Sequence, residues 1–184
     1  MTSVAALWRR LDVPGHDACR LDEEPDGWRL HGTAVLRLDG APARLDYRVE
    51  CDRSWRSRAA SVEGWVGTHP IEIVIVRTDE GRWLLNGAAV QGLDDCIDVD
   101  FGFTPATNLL QLRRIALAVG DVADVPVAWL DVPAATLLRL EQRYRRITDM
   151  RYDYAAPQFG YHSELEVSPA GFARRYPELW ELED

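Results

Sequence analysis

A chain of 184 residues is the size of one folded domain and can bury a sizeable core without disulfides or metals to hold it together. Its 21 basic residues stand against 30 acidic ones, and the formal net charge of -9 repels phosphate backbones and anionic lipid surfaces, so nucleic acid is not expected as a partner. A hydrophobic share of 47%, with ten prolines and thirteen glycines, is that of a folded chain with frequent reversals rather than a low-complexity one.

At the amino terminus, Met1 to Arg10 lacks a basic head followed by an apolar run. No later apolar run approaches the ~18 residues of a membrane span, so neither secretion nor a membrane crossing is expected. From Trp28 to Leu38 the apolar Trp28, Leu30, Ala34, Leu36 and Leu38 alternate with Arg29, His31, Thr33 and Arg37, the period of a half-buried strand. After the turn Asp39-Gly40-Ala41-Pro42 the alternation resumes through Leu45, Tyr47, Val49 and Cys51, which makes a hairpin. Trp55 to Val66 reads as a further strand, less cleanly patterned. The β-branched run Ile71 to Val76 turns at Asp79-Glu80-Gly81 and returns through Trp83 and Leu85.

Ile97, Val99 and Phe101 then alternate with Asp98 and Asp100, and at Thr104-Pro105 the period changes. Thr104 suits a helix cap and Pro105 a first helical residue. Leu109, Leu112, Ala116 and Val119 recur at helical spacing until Gly120 supplies a stop. With Leu110, Ile115 and Leu117 the helix is apolar around most of its circumference, so it is expected against or inside the sheet. Strands follow at 125–132, 150–154, 163–167 and 172–176, while 137–148 fits a helical and an alternating reading equally. Ten or so short strands and one buried helix predict a mainly β fold, a single domain over residues 1–184. A curved antiparallel sheet or half-open barrel wraps one central helix.

The string Asp98-Val-Asp-Phe-Gly-Phe-Thr-Pro-Ala-Thr-Asn-Leu-Leu, followed by Arg113-Arg114, resembles the signature of a bacterial family of unknown function described as putative glycolipid-binding. Three further stretches are similar to that family: Val127-Ala-Trp-Leu, Gln142-Arg-Tyr-Arg and Tyr176-Pro-Glu-Leu-Trp, so the resemblance runs nearly end to end. It implies a fold like that of envelope lipoprotein and glycolipid carriers, a curved sheet over an apolar cavity, and a glycolipid or other amphipathic small molecule as ligand. It carries over no catalytic or ligand residue. A bacterial source also agrees with the basic residues, which are all Arg, the bias of a GC-rich genome.

Asp98 and Asp100 share one strand face roughly 7 Å apart, close enough to bind a cation or share a proton, with Asp94 and Asp95 nearby. The alternative is that they pair with arginines or cap the helix. One of Arg113 and Arg114 must turn inwards, and a buried guanidinium needs Asp98, Asp100 or an anionic ligand head as its partner. Trp55, Trp65, Trp83, Trp129, Tyr144, Tyr152 and Tyr154 lie in or near strands, where they either form platforms for a sugar or acyl chain or simply fill the interior. The candidate ligand-binding set is Asp98, Asp100, Asn108, Arg113, Arg114, Trp55, Trp83, Tyr144 and Tyr152.

No nucleophile elbow, HExxH, phosphate loop or dinucleotide fingerprint is present, and His16, His31, His69 and His162 have no ligand spacing, so no catalytic residue, metal or cofactor is expected. Cys19, Cys51 and Cys96 are odd in number and widely spaced, which suits free thiols in a reducing cytoplasm. A thiolate at Cys96 is disfavoured by Asp94 and Asp95. The expected function is non-enzymatic binding of an amphipathic small molecule. The alternatives are a small hydrolase-type enzyme built on Asp98 and Asp100 with an Arg, and a homo-oligomeric interaction module.

Overall fold

The computed structural model describes residues 2–183 and carries fifteen strands in one sheet. In chain order these are β1 (Ser3–Arg10), β2 (Gly15–Glu24), β3 (Gly27–Leu38), β4 (Ala41–Asp52), β5 (Ser57–Val66), β6 (His69–Arg77), β7 (Trp83–Leu85), β8 (Ala88–Val90) and β9 (Asp98–Phe101). The helix α1 (Asn108–Ile115) follows, then β10 (Val122–Asp131), β11 (Thr136–Thr148), β12 (Arg151–Ala156), β13 (Tyr161–Val167), β14 (Ala173–Tyr176) and β15 (Trp180–Leu182).

β1 lies at the middle of the sheet. The chain meanders outwards from it to β8 at one edge, reappears at the far edge as β9, and meanders back until β15 pairs with β1. All neighbours are antiparallel except β9 and β10. Laid flat at ~4.8 Å per strand, such a sheet spans roughly 67 Å. The seven residues 91–97 that join the two edge strands reach at most about 29 Å, so the sheet has to curl. Hydrogen bonds hold the curl: the Val99 amide donates to Ser57 Oγ at 3.1 Å, and Trp83 Nε1 donates to the Cys96 carbonyl at 3.0 Å. The edges β8 and β9 do not pair, and the sheet remains open.

The inward face of β1–β7 packs Trp8, Leu30, Leu45, Ile73 and Trp83 into one core, and β10–β13 pack Val127, Leu140, Tyr144 and Leu165 into a second. Helix α1 lies between them, with Leu109 and Leu110 in the first core and Leu112 in the second. That is the wrapped helix expected from its apolar circumference. It is shorter than its periodicity: Thr104 Oγ1 accepts the Ala106 amide at 3.0 Å in a leading turn, and regular helix begins only at Asn108. At the other end Ala116 adopts φ 43° and its amide caps the Leu112 carbonyl, so the helix stops before Gly120. Gly120 instead turns the chain into β10, its amide donating to the Arg146 carbonyl at 2.8 Å. Among the described residues no helix is long and apolar enough to cross a membrane.

Strands β1 and β2 escaped the alternation reading, and β11 was ambiguous in it. In β2 and β11 the reason is the same: a polar residue, Asp17 or Gln142, occupies an inward position and is buried there.

Candidate functional site

Period two along β9 puts Asp98 and Asp100 on one face and Val99 and Phe101 on the other, and all four are buried. The two carboxylates then take different partners. Asp98 accepts from Arg114 Nε at 2.9 and 3.0 Å and from Arg114 Nη2 at 2.7 Å, so Arg114 is the inward guanidinium and Asp98 its counter-ion. Burial still lifts the Asp98 carboxyl above its ordinary range, against the pull of Arg114. Among the described residues Asp100 forms no ion pair. It accepts from the Thr107 hydroxyl at 2.6 Å and from Gln142 Nε2 at 2.9 Å. Gln142 Oε1 accepts in turn from the Tyr144 hydroxyl at 3.1 Å, whose oxygen accepts from Asn108 Nδ2 at 2.9 Å. Burial pushes the Asp100 carboxyl up, and the donors of Thr107 and Gln142 oppose it.

Asp100 and Asn108 line a cavity of about 340 Å³ whose wall is aromatic: Trp129, Tyr154, Phe159, Tyr161, Tyr176 and Trp180. Trp129 meets Phe159 edge-on with centroids 5.1 Å apart, and Tyr154, Tyr161 and Tyr176 form a triangle with centroids 5.3–6.0 Å apart. Gly102 makes room for Trp129, since a Cβ there would lie 2.8 Å from the indole nitrogen. Arg10, at the end of β1, lines the same cavity with its guanidinium 5.2 Å from the Trp180 ring centroid. Its Nε and Nη2 are held by Asp12 at 2.7 and 3.0 Å, while Nη1 is buried without a hydrogen-bond partner. A broader groove of about 920 Å³, over Ala5, Leu7, Ala18 and Thr33, is an open stretch of sheet surface without an aromatic wall or an orphaned donor.

Asp17 stands beside this cavity. Thr104, which lines the cavity, donates to Asp17 through its hydroxyl, and Tyr47 donates to the same carboxyl at 3.0–3.1 Å. Gly32 is required for that reach, because a Cβ at Gly32 would fall 2.5 Å from the Tyr47 oxygen. Burial pushes the Asp17 carboxyl up to about 7 in spite of both donors. The folded chain therefore holds a proton that the unfolded chain releases near 3.8, and the associated stability is lost as pH rises from about 4 through 7. Between pH 5 and pH 8 the wild type is expected to lose about 3 kcal/mol relative to Asp17→Asn. Urea unfolding of both proteins at the two pH values measures this, and an unchanged difference would refute it.

The remaining sequence candidates sit elsewhere. Tyr144 lies one layer behind the cavity, in the relay to Asp100. Trp55 stacks on Trp28 with centroids 4.3 Å apart, and the Arg113 guanidinium lies 5.7 Å from its ring, away from the aromatic wall. Trp55 takes φ 65°, in a turn where Asp52 accepts the Ser54 and Arg56 amides. Trp83 is fully buried in the first core, and Tyr152 packs under Arg146. Of the wall, Trp129 and Tyr154 stood out in the sequence only as strand aromatics, and Arg10, Phe159, Tyr161, Tyr176 and Trp180 were not selected. The three thiols are free and buried, and burial holds Cys51 up at about 12 and Cys96 at about 11, so both are protonated near neutrality. Among the described residues no group of three or more His, Cys, Asp or Glu side chains is placed to hold a metal ion.

The sequence profile of the family described as putative glycolipid-binding matches residues 5–181. A crystal structure of a DUF1089-family protein from Pseudomonas aeruginosa is similar with a TM-score of 0.78 at 25% identity, covering 98% of this chain and 92% of that one. No curated protein matches the chain.

Proposed function

Because the chain belongs to the putative glycolipid-binding family, we propose that it is a binding protein that holds one amphipathic small molecule in the aromatic cavity and performs no chemistry on it. The observation that carries this reading is convergence. The string from Asp98 to Asn108 supplies Asp100, Gly102, Thr104 and Asn108, Val127-Ala-Trp-Leu supplies Trp129, and Tyr176-Pro-Glu-Leu-Trp supplies Tyr176, Leu179 and Trp180. Gln142-Arg-Tyr-Arg holds Asp100 from behind. The stretches that set this chain apart in sequence thus meet at one place in space. A concave, mostly apolar site of this size with a few converging polar groups is the usual form of a small-molecule site.

Absence of catalysis is supported by the separation of the two carboxylates, since only Asp100 lines the cavity while Asp98 is consumed by Arg114. Three free thiols and the all-Arg composition support a bacterial, cytoplasmic protein, and the single continuous sheet supports one domain. The net charge of -9 supports a small molecule over nucleic acid. Native mass spectrometry of the purified protein tests the reading. A defined small-molecule adduct is expected on the wild type and lost on Trp129→Ala, and a bare chain mass in both would overturn it.

A further inference from the structure

We infer that the single 3-10 turn Pro157–Phe159, with Gly160, is the gate of the aromatic cavity, and that Gln158 is the latch that holds it shut. This rests on the cavity being the ligand site. The gate sits where the sheet leaves a gap. The ladder between β11 and β12 ends at Arg143 and Ala155, and beyond it β11 continues over residues 136–142 paired with β10 and not with β12. Gln158 stands in for the missing strand. Its Oε1 accepts the Glu141 amide at 2.7 Å and its Nε2 donates to the Arg139 carbonyl at 3.0 Å, one acceptor and one donor of the kind a neighbouring backbone would offer. Phe159 closes the gap over the cavity. It lines that space with Trp129, Leu140, Ala156 and Tyr161 and meets the Trp129 ring edge-on at 5.1 Å, yet it is 57% exposed.

The turn is built to move as a unit between two fixed points. None of residues 157–160 is buried. On one flank Ala156 is buried and pairs with Tyr161 across the hairpin, and on the other the Tyr161 hydroxyl donates to the Pro177 carbonyl at 2.8 Å. Gly160 takes φ 61°, a left-handed conformation that glycine adopts without penalty, and its amide donates to the Pro157 carbonyl at 3.0 Å, so the turn keeps its own shape. Swinging it outwards breaks the two Gln158 bonds and one ring contact and leaves the ladders on both sides intact. Both bonds lie at the surface, where water replaces them, so each is worth a factor of about two to ten in the closing equilibrium. Opening of that kind is a minor thermal state reached in microseconds to milliseconds, and ligand exchange through the gap is limited by its population.

Two measurements on the full chain test the gate. Leu140→Cys places a thiol in the cavity wall, and its labelling by methyl methanethiosulfonate reports opening without any ligand. Adding Gln158→Ala is expected to speed that labelling about tenfold, while the buried Cys19, Cys51 and Cys96 stay protected. Stopped-flow fluorescence with the uncharged dye N-phenyl-1-naphthylamine, in chains that keep Leu140, measures exchange. Gln158→Ala is expected to raise the association and dissociation rates together, each about tenfold, and to hold Kd within about threefold, because the latch is made in the empty and the filled protein alike. Trp129→Ala changes the wall and is expected to weaken the dye chiefly through faster dissociation. Unchanged labelling on Gln158→Ala would overturn the gate and leave the binding reading intact, and so would unchanged dye rates in a protein where Trp129→Ala still weakens the dye. Dye affinity that Trp129→Ala leaves untouched would move the ligand site out of this cavity and remove both.

Discussion

Arg114→Ala is expected to cost about 3–5 kcal/mol of folding stability at pH 7.5, because it strands the fully buried Asp98 without its counter-ion. For a chain of this length that corresponds to a fall of roughly 10 °C in melting temperature. The loss is a penalty on the orphaned carboxylate and does not measure the worth of the pair. Burial already outweighs Arg114 at Asp98 and holds its carboxyl above the ordinary range, so the pair is close to break-even. Two consequences separate this account from simple loss of packing. The deficit of Arg114→Ala against wild type should shrink between pH 7.5 and pH 5, because a protonated Asp98 no longer needs a cation. The double variant Asp98→Leu with Arg114→Met should recover most of the lost stability, since it leaves neither charge behind. Chemical denaturation at the two pH values measures both, and a deficit independent of pH would contradict the mechanism.

The parts of the fold that the sequence revealed are those where local period and burial agree. The hairpin of β3 and β4 has Leu30, Ala34 and Leu36 facing inwards opposite Leu45, Val49 and Ala43, and it was readable without structure. Strands β2 and β11 were not, because Asp17 and Gln142 break the apolar face. Both belong to buried polar networks at or beside the cavity, so the pattern fails where the site is built. The helix was placed correctly but ended too late, since Ala116 turns left-handed to bring Leu117 into the second core, which periodicity does not encode.

The cavity wall was hidden for a different reason. Asp100 and Asn108 lie in one continuous string and could be selected together, whereas Trp129, Tyr154, Tyr161, Tyr176 and Trp180 come from five different strands. Long-range strand pairing brings them to one place, with β12 to β15 as consecutive neighbours and Tyr176 directly opposite Trp180. Arg10 reaches the wall because β1 pairs with β15, a contact between the two ends of the chain that no local signal announces. Its pairing does leave a sequence trace in Asp12, two residues on, which engages two of its three nitrogens and leaves Nη1 for the cavity.

Trp8→Ala is expected to be as damaging as Arg114→Ala or more so, and through a different route. Trp8 is fully buried at the middle strand, lies edge-on to Phe172 with centroids 5.4 Å apart, and donates from Nε1 to the Ala173 carbonyl at 2.6 Å. It thereby ties β1 to β14, across β15 and between the two halves of the sheet. Removing the indole costs about 3–5 kcal/mol in lost burial and residual cavity. The orphaned carbonyl adds about 1–3 kcal/mol. Trp8→Phe keeps much of the buried area and loses only the hydrogen bond, so about 2 kcal/mol is expected there. The wall residues Tyr176 and Trp180 lie on the two strands that Trp8 secures, so Trp8→Ala should also weaken any ligand bound in the cavity, while Arg114→Ala, whose guanidinium bonds Asp98 and acts on the lining Asp100 only through that neighbouring charge, should weaken it less. Unfolding and ligand titration of the two alanine variants in parallel measure this. Equal loss of binding at matched loss of stability would mean that the cavity follows global stability and not the join between the two halves.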